Sequence, residues 1–265
     1  LDATNVIARP VLTVITPVSI DHEQFLGSTL SAIAGEKAGI IKRGVTCVVG
    51  PQEDEALDVI EDVAARHAAP LLAYGQQWHA GPERDRMTYQ DDHGLLDLPR
   101  PNLPGAHQIL NAGAALAALR HLGVGNQACE AAVTRADWPA RMQRLKTGPL
   151  VEIADTAELW LDGGHNPAAG KALAQLLSEM PRRPTHLICG MLNTKDIGGY
   201  LAPLAAQART LTAVSIPGEA NTLPAEVTAK AANDVGLSAA TAPSVTEALK
   251  AIVAQDPQAR VLICG

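Results

Sequence analysis

Short apolar runs alternate with amphipathic helical stretches along most of this sequence, and that alternation limits its fold more than any other feature. Residues 11–16, 45–49 and 71–73 are apolar runs of strand length, and residues 53–67 show helical spacing between the second and the third. Strand–helix–strand order of this kind indicates parallel strands joined by crossover helices. The sequence therefore predicts an α/β fold.

A second series of the same kind begins near residue 147. Its predicted strands are 151–154, 158–161, 185–189, 211–216 and 260–264, and its predicted helices are 168–180, 197–208, 224–235 and 246–255. Residues 76–98 differ, because apolar residues separated by Asp, Gly and Pro favour short antiparallel hairpins. We expect two domains, 1–146 and 147–265, of which the second is doubly wound and Rossmann-like.

The composition excludes several classes of protein. The 265 residues carry a formal net charge of −7 with no run of Lys or Arg, which argues against a nucleic-acid surface. No apolar run approaches the roughly 20 residues that span a membrane, and we expect no secretory leader. Aromatic residues make up 3%, so the core must be aliphatic, and Cys47, Cys189 and Cys264 should be buried reduced thiols. We expect a cytoplasmic monomer.

The helix that follows the first strand carries an unusual lysine. With Ser28 as its N-cap, one face of this helix carries Leu30, Ile33, Ala34, Ala38 and Ile41, and Lys37 lies near the middle of that face. Lys37 could extend to solvent or pair with Asp21 or Glu36. Alternatively, burial could make its amine neutral and reactive towards carbon dioxide, giving a carbamate that binds a cation together with His22. Spacing does not choose between these interpretations.

A second candidate site lies where a predicted strand ends in the run Asp162-Gly163-Gly164-His165-Asn166-Pro167. Asn166 as N-cap and Pro167 as the first helical residue predict a helix start. A glycine pair at this place lets backbone approach a ligand closely. Asp162 could then bind a ribose hydroxyl, and His165 could face a phosphate. The alternative is an Asx-type turn with no ligand.

Two further polar residues are candidates for the same chemistry. Asn111 and His107 are four residues apart and share a face near a helix start, where Asn111 could bind a nucleotide base or phosphate. The alternative is a polar pair that only caps the helix. Arg141 could bind a phosphate through its planar guanidinium, or it could be a solvated linker arginine.

Several separated stretches match one family in order: LDATNVI, SIDHEQFLG with EKAGIIK, HQILNA, WPARMQRL, LDGGHNP and GMLNTKD. Together they resemble the folylpolyglutamate synthase/dihydrofolate synthase family, a branch of the Mur ligase superfamily, over essentially the whole chain. The resemblance implies a truncated Mur-ligase-like central ATPase domain followed by a Rossmann-like C-terminal glutamate-ligase domain. The active site would lie in the cleft between them.

The resemblance also implies an amide ligase that depends on ATP and Mg²⁺. In this family a carboxylate of dihydropteroate or a folate is activated as an acyl phosphate, which the amine of L-glutamate attacks. By family position, the metal ligands would be His22 and a carbamylated Lys37. The nucleotide contacts would be Asn111, Arg141, Asp162 and His165, with Lys37 and His165 catalytic. The pterin-side pocket would include Leu1, Asp2 and Ala3.

The sequence departs from the family pattern in ways that affect this expectation. No Gly-x-x-x-x-Gly-Lys-[Ser/Thr] loop occurs, the upstream acidic metal ligand is missing, Ala140 replaces a Gly, and Gly164 replaces an Ala. We interpret the chain as an internal piece of a longer protein and expect it to be inactive alone. Two alternatives remain: a non-catalytic Rossmann-like nucleotide-binding module, and a sister Mur-type ligase acting on peptidoglycan peptides.

Overall fold

The computed structural model describes residues 5–21 and 26–265, and it divides into two compact units. The first unit comprises Leu1–Asn102 and Ala106–Asp137, and the second comprises Leu103–Gly105 and Trp138–Gly265. The main part of the second unit therefore begins at Trp138, earlier in the sequence than the predicted boundary after residue 146. The reason is that strand β7 (Gln143–Arg144) already pairs with a strand of the second unit.

A three-stranded parallel sheet organises the first part of the first unit. Its strands are β1 (Thr13–Ile15), β2 (Cys47–Val49) and β3 (Leu71–Ala73), in the order β1-β2-β3. Helices α1 (Leu30–Ala38) and α2 (Asp54–Arg66) connect them and pack against each other. The parallel pairing confirms the predicted strand–helix–strand series, and the buried residues of this core are aliphatic or cysteine.

The rest of the first unit is an antiparallel meander covered by two helices. The meander consists of β4 (His79–Glu83), β5 (Arg86–Asp91) and β6 (Gly94–Pro99), and the helices are α3 (Ala106–His121) and α4 (Asn126–Arg135). The hairpins predicted for residues 76–98 are confirmed. Trp78 stacks on Tyr89 with ring centroids 6.2 Å apart. α3 approaches them at Gly113, where a Cβ would lie 2.6 Å from the Trp78 ring.

The second unit is a six-stranded sheet in the order β11-β10-β9-β12-β8-β7. Its strands after β7 are β8 (Glu158–Asp162), β9 (Thr185–Cys189), β10 (Thr210–Ala213), β11 (Ala239–Thr241) and β12 (Arg260–Cys264). Its helices are α5 (Pro149–Ala154), α6 (Pro167–Glu179), α7 (Ile197–Leu201), α8 (Ala225–Asp234) and α9 (Val245–Gln255), with a 3₁₀ turn at Ala202–Leu204. All pairings are parallel except β7 with β8. The predicted α/β fold is confirmed.

Three local predictions were wrong. Residues 151–154 were predicted as a strand, but they belong to α5, because Gly148 with φ 105° redirects the chain and Pro149 opens a helix. Short apolar runs of this length do not distinguish the two structures. The N-cap of α1 is Thr29, whose hydroxyl accepts from the Ala32 N–H at 3.2 Å, and not Ser28. The helix predicted over 197–208 ends at Leu201, shortly before Pro203.

The four cysteines are free and buried, which confirms the prediction made for Cys47, Cys189 and Cys264. In residues 5–21 and 26–265, no helix has the length and hydrophobicity needed to cross a membrane.

Candidate functional site

The predicted site residues fall into three groups. His22, Leu1, Asp2 and Ala3 lie outside the described residues. Lys37 and Asn111 belong to the first unit, and the remaining three, Arg141, Asp162 and His165, belong to the second. The predicted domain limits had assigned Arg141 to the first domain. The structure brings Arg141, Asp162 and His165 together at the carboxyl end of β8.

The turn from β8 into α6 follows the predicted capping pattern. The side chain of Asn166 accepts a hydrogen bond from the Ala169 N–H at 2.8 Å, and Pro167 is the first helical residue. This cap satisfies one of the backbone donors left open at a helix start. The thirteen-residue helix α6 therefore directs the positive end of its dipole towards the turn.

Asp162 is buried and both of its carboxylate oxygens accept backbone hydrogen bonds. Only 8% of the Asp162 surface is exposed. Oδ2 accepts from the Met142 N–H at 2.8 Å, and Oδ1 accepts from the Gly164 N–H at 2.7 Å. Hydrogen bonds from N–H groups to a carboxylate are stronger than those between neutral groups. Asp162 therefore ties two chain segments twenty residues apart.

The glycine pair serves this turn rather than presenting free amides to a ligand. The Gly164 N–H donates to Asp162, which is an Asx-type turn, and the Gly163 N–H donates to the Ala140 carbonyl oxygen at 3.0 Å. A Cβ at position 164 would lie 2.9 Å from both Asp162 Oδ1 and Ala169 Cβ. The backbone therefore forms the Asx-type turn, and the binding of a ligand at this turn stays a prediction.

Arg141 lies between two residues with unusual backbone geometry. Ala140 has φ 55° and Met142 has φ 43°, both in the left-handed region. Non-glycine residues in that region cost about 1–2 kcal/mol each, so a Gly at position 140, as the family resemblance implies, would relieve the strain that Ala140 carries. The Arg141 side chain is exposed, and its Nη1 donates to the Ala140 carbonyl oxygen at 3.1 Å. A Cβ added to Gly163 would lie 3.5 Å from Nη1 of Arg141, so the guanidinium lies next to the glycine pair.

His165 is partly buried in the same turn. Its Nδ1 lies 3.1 Å from the Gly163 carbonyl oxygen. This contact favours the tautomer with the proton on Nδ1, because a carbonyl oxygen only accepts. The ring is thereby fixed at the start of α6.

Asn111 is exposed near the first turn of α3 and takes part in a short chain of side-chain contacts. Its Nδ2 donates to Gln108 Oε1 at 3.1 Å, and Gln108 Nε2 lies 3.1 Å from His107 Nε2. Gln108 is 6% exposed. Sequence reasoning placed His107 and Asn111 on one face but missed Gln108, whose i, i+3 spacing to Asn111 was the available signal.

Lys37 is exposed, as in the interpretation that extends it to solvent, and the burial that the carbamate interpretation assumed is not observed. It lies in the last turn of α1, where a cation interacts favourably with the helix dipole, and its four-carbon chain can carry the ammonium out to solvent. The neighbouring buried residues of α1 are Ile33, Ala34 and Ala38. Its role as a metal ligand and its carbamylation stay predictions.

The described residues contain no group of three or more His, Cys, Asp or Glu side chains placed to hold a metal ion. A cavity of about 490 Å³ does occur in the first unit, between β3, the meander and α3. It contains none of the predicted site residues. Its lining includes Trp78, Tyr89 and Asp91, and Asp91 is already paired with Arg120. We therefore place the candidate site at the β8–α6 turn and not at this cavity.

Known proteins resemble this chain over both units. Residues 140–265 match the family model for the Mur ligase glutamate ligase domain. Folylpolyglutamate synthase of Lacticaseibacillus casei is 33% identical, over 84% of this chain and 53% of its own length. Dihydrofolate synthase/folylpolyglutamate synthase of Escherichia coli (strain K12) is 36% identical, over 76% of this chain and 45% of its own length. The chain thus spans about half the length of these curated relatives.

Solved structures give the same result. E. coli FolC in complex with DHPP and ADP has a TM-score of 0.86 and 30% identity, covering 100% of this chain and 60% of that one. The bifunctional folylpolyglutamate synthase/dihydrofolate synthase of Yersinia pestis, complexed with AMPPNP and a Mn ion, has a TM-score of 0.83 and 29% identity over the same shares.

The second unit has a largely parallel sheet with the capped turn after β8, and residues 140–265 match the Mur ligase family model. The chain is therefore a protein of the Mur ligase class. Within that class, the chain belongs to the folylpolyglutamate synthase/dihydrofolate synthase family. The family and the fold class predicted from the sequence are confirmed.

Proposed function

We propose that the complete protein is an ATP- and Mg²⁺-dependent ligase that adds L-glutamate to dihydropteroate, to a folate, or to both. The observation that carries this proposal is the exposed guanidinium of Arg141 next to the N-terminal turn of α6. It occurs in a fold that resembles ADP-bound relatives at a TM-score of 0.86. A cytoplasmic location and a monomeric state stay expectations from the sequence.

The residues at this turn fit a nucleotide phosphate. A guanidinium has five N–H donors in a planar arrangement, and one donor of Arg141 goes to the Ala140 carbonyl oxygen. The helix dipole of α6 adds positive potential at the same place. We propose that Arg141 and His165 bind and orient phosphate oxygens, and that Asn111 contributes a nucleotide contact from α3.

The proposed reaction has two steps. A carboxylate oxygen of the acceptor attacks the terminal phosphorus of ATP, and ADP leaves, which gives an acyl phosphate. The amine of L-glutamate then attacks the acyl carbon, and inorganic phosphate leaves as the amide forms. Charge builds on the transferred phosphoryl group in the first step, so a fixed guanidinium is the chemistry that step requires.

The described residues give no site for the metal ion. The relative from Y. pestis was solved with a Mn ion, and the family resemblance assigns the ligands to His22 and a carbamylated Lys37. Leu1, Asp2 and Ala3 stay proposals for the pterin-side pocket on the same ground.

The test is a product assay on the full-length protein with ATP, Mg²⁺, L-glutamate and either dihydropteroate or tetrahydrofolate. We expect a product heavier by one glutamate residue and one ADP for each amide formed. Arg141→Ala should lower the rate by about 100-fold or more, whereas Arg182→Ala, an exposed arginine of the same unit, should not. The 265-residue chain alone should give no product.

One observation favours a second candidate. Lys37 is exposed rather than buried, as expected for a nucleotide-binding module without catalysis. ATP binding without any amide product in the full-length protein would support that module. If the full-length protein adds no glutamate to the folate substrates but forms an amide on a peptidoglycan precursor, it is instead a sister Mur-type ligase.

A further inference from the structure

A cluster of arginines lies at the end of the second sheet that is opposite to the β8–α6 turn. Glu158 is the first residue of β8 and Arg260 is the first residue of β12, and the two are paired in register. Arg144 of β7 and Arg183, which follows α6, contact the same carboxylate. The length of β8, about 13 Å of strand, separates this carboxylate from Asp162. The cluster is therefore outside the site proposed above.

One carboxylate serves three guanidinium groups in this cluster. Arg144 Nη1 and Arg260 Nε lie 3.1 Å and 3.4 Å from Oε2 of Glu158. Arg183 Nη1 lies 3.8 Å from Oε1 of the same side chain. Burial raises the pKa of Glu158, but a hydrogen bond from Trp160 and the charges of two of these arginines hold it below the ordinary value. Glu158 is therefore negatively charged at neutral pH and supplies one charge against three.

The end of α6 supplies the other negative potential at this place. Arg260 is 3% exposed, and its Nη2 donates to the Pro181 carbonyl oxygen, just beyond α6, at 2.9 Å. The negative end of a helix dipole is equivalent to about half a charge. Glu179, in the last turn of α6, is exposed and accepts a hydrogen bond from Gln175 at 3.1 Å. Glu158 and the helix end together offset about half of the positive charge, and partly buried charge is stabilised by a partner of opposite sign.

Two of the guanidinium groups have N–H donors available to a ligand. The contact of Arg183 with Glu158 at 3.8 Å is longer than a hydrogen bond. The Arg144 guanidinium lies over the Trp160 ring, with Cζ 5.3 Å from the ring centroid, which restricts its orientation. The side chains of Arg144 and Arg183 are 34% and 31% exposed, so an anion can reach them from solvent. A planar guanidinium binds two oxygens of one phosphate group at once.

We propose that Arg144, Arg183 and Arg260 form a second anion site, which binds a single phosphate group. The uncompensated charge of the cluster lies between one and two, and a phosphate group carries about −1.5 to −2 at pH 7. Two sources offer this group: inorganic phosphate, and a small phosphate ester. The inference goes beyond the proposed ligase activity and does not depend on it.

The first experiment is calorimetric titration of the full-length protein with inorganic phosphate and, separately, with glycerol 3-phosphate. The ionic strength is held constant, because salt screens charges. Arg183→Gln should weaken binding by about tenfold or more, as for loss of a hydrogen bond to a charged group. Arg209→Gln is the matched control, because this exposed arginine lies directly before β10, at the same end of the sheet, near Asp256; it should leave the affinity unchanged.

The inference is wrong if the unmodified protein binds neither compound, or if Arg183→Gln binds both as tightly as the unmodified protein does. Tighter binding of inorganic phosphate supports the inference and identifies free phosphate as the source. Tighter binding of glycerol 3-phosphate supports it and identifies an ester.

A second set of titrations separates this cluster from the β8–α6 turn, where the proposed function also requires phosphate binding. The same measurements are made in an Arg141→Ala background, and Arg183→Gln should cause the same loss there, since the two sites are independent. If Arg183→Gln has no effect once Arg141 is replaced, the phosphate was bound at the turn and the inference fails. Because these titrations need neither ATP nor L-glutamate, failure of the inference is distinguishable from failure of the proposed function.

Replacement of the shared carboxylate should act in the opposite direction. Glu158→Gln removes the only charge that repels an anion from these arginines, so phosphate affinity should rise by at least about fivefold. A cluster that only joins the strands and the end of α6 predicts lower stability in this variant and no gain in affinity, and that result would refute the inference. Thermal unfolding shows whether each variant folds. If Glu158→Gln does not fold, the Arg183→Gln titration still tests the site, because the Arg183 guanidinium makes only the long contact with Glu158 in the part of the chain that the structure describes.

Discussion

Arg120 and Asp91 form a buried, two-pronged ion pair in the first unit. Nε of Arg120 lies 2.7 Å from Oδ2 of Asp91 and Nη2 lies 3.0 Å from Oδ1, with side chains 8% and 9% exposed. Tyr89 donates to the same carboxylate at 3.2 Å. The pair joins α3 to the end of β5, so it ties a helix to the meander.

Replacing one member of this ion pair should strongly destabilise the folded protein. Arg120→Met removes the partner of a buried carboxylate, and we expect the free energy of unfolding to fall by about 3–5 kcal/mol. Arg86→Met is the control, because the Arg86–Asp97 pair joins β5 to β6 at the surface, and it should change stability little. Urea denaturation of both variants measures the difference. Equal losses of unfolding free energy in the two variants would show that burial of the Arg120–Asp91 pair does not increase its contribution to stability.

The same pair should make stability depend on acid. Burial of Asp91 raises its pKa, but the hydrogen bond and charge of Arg120, together with hydrogen bonds from the His93 N–H and the Tyr89 hydroxyl, hold the pKa below the ordinary value of 3.8. A carboxylate with a lower pKa in the folded state contributes stability that is present above its unfolded pKa and is lost as the pH falls through its folded pKa. Unfolding free energies measured from about pH 7 to about pH 3 should therefore fall below about pH 4. Asp91→Asn should reduce that slope; an unchanged slope would contradict the assignment.

Two helical glycines should respond oppositely to alanine. A Cβ on Gly170 of α6 would overlap the backbone carbonyl oxygen of Tyr200, whereas one on Gly35 of α1 would find its nearest neighbour, Val59, at 4.0 Å. We expect Gly170→Ala to destabilise by about 1–3 kcal/mol or more and Gly35→Ala to stabilise by up to about 1 kcal/mol. Thermal unfolding of the two variants tests this. A stable Gly170→Ala protein would show that α6 and the Tyr200 backbone are not packed as described.

Local signals in the sequence predicted the parts of the fold and site that depend on neighbouring residues. Asn166 and Pro167 gave the start of α6 because both capping rules act within one turn. Contacts between distant segments were missed: nothing near Asp162 indicates that Met142, twenty residues away, donates to it. The two interpretations of Lys37 stayed open because helical spacing gives the direction of a side chain but not how far its neighbours extend over it.

Lys37 gives a prediction in which activity and stability separate. Because the side chain is exposed, Lys37→Ala should change the unfolding free energy by no more than about 0.5 kcal/mol. In the full-length enzyme it should nevertheless abolish glutamate addition if the carbamate holds a metal, and excess acetate should restore part of the rate. Lys42→Ala is the control. An active Lys37→Ala enzyme would remove this residue from the mechanism.

The proposed function depends on activation of a carboxylate by phosphoryl transfer before the amide forms. The most direct measurement uses an acceptor whose carboxylate carries ¹⁸O in both oxygens, incubated with the full-length protein, ATP, Mg²⁺ and L-glutamate. We expect one ¹⁸O atom in the inorganic phosphate for every amide made, because one carboxylate oxygen bridges carbon and phosphorus in the acyl phosphate. Amide formation with unlabelled phosphate, or ATP binding with no amide at all, would contradict it.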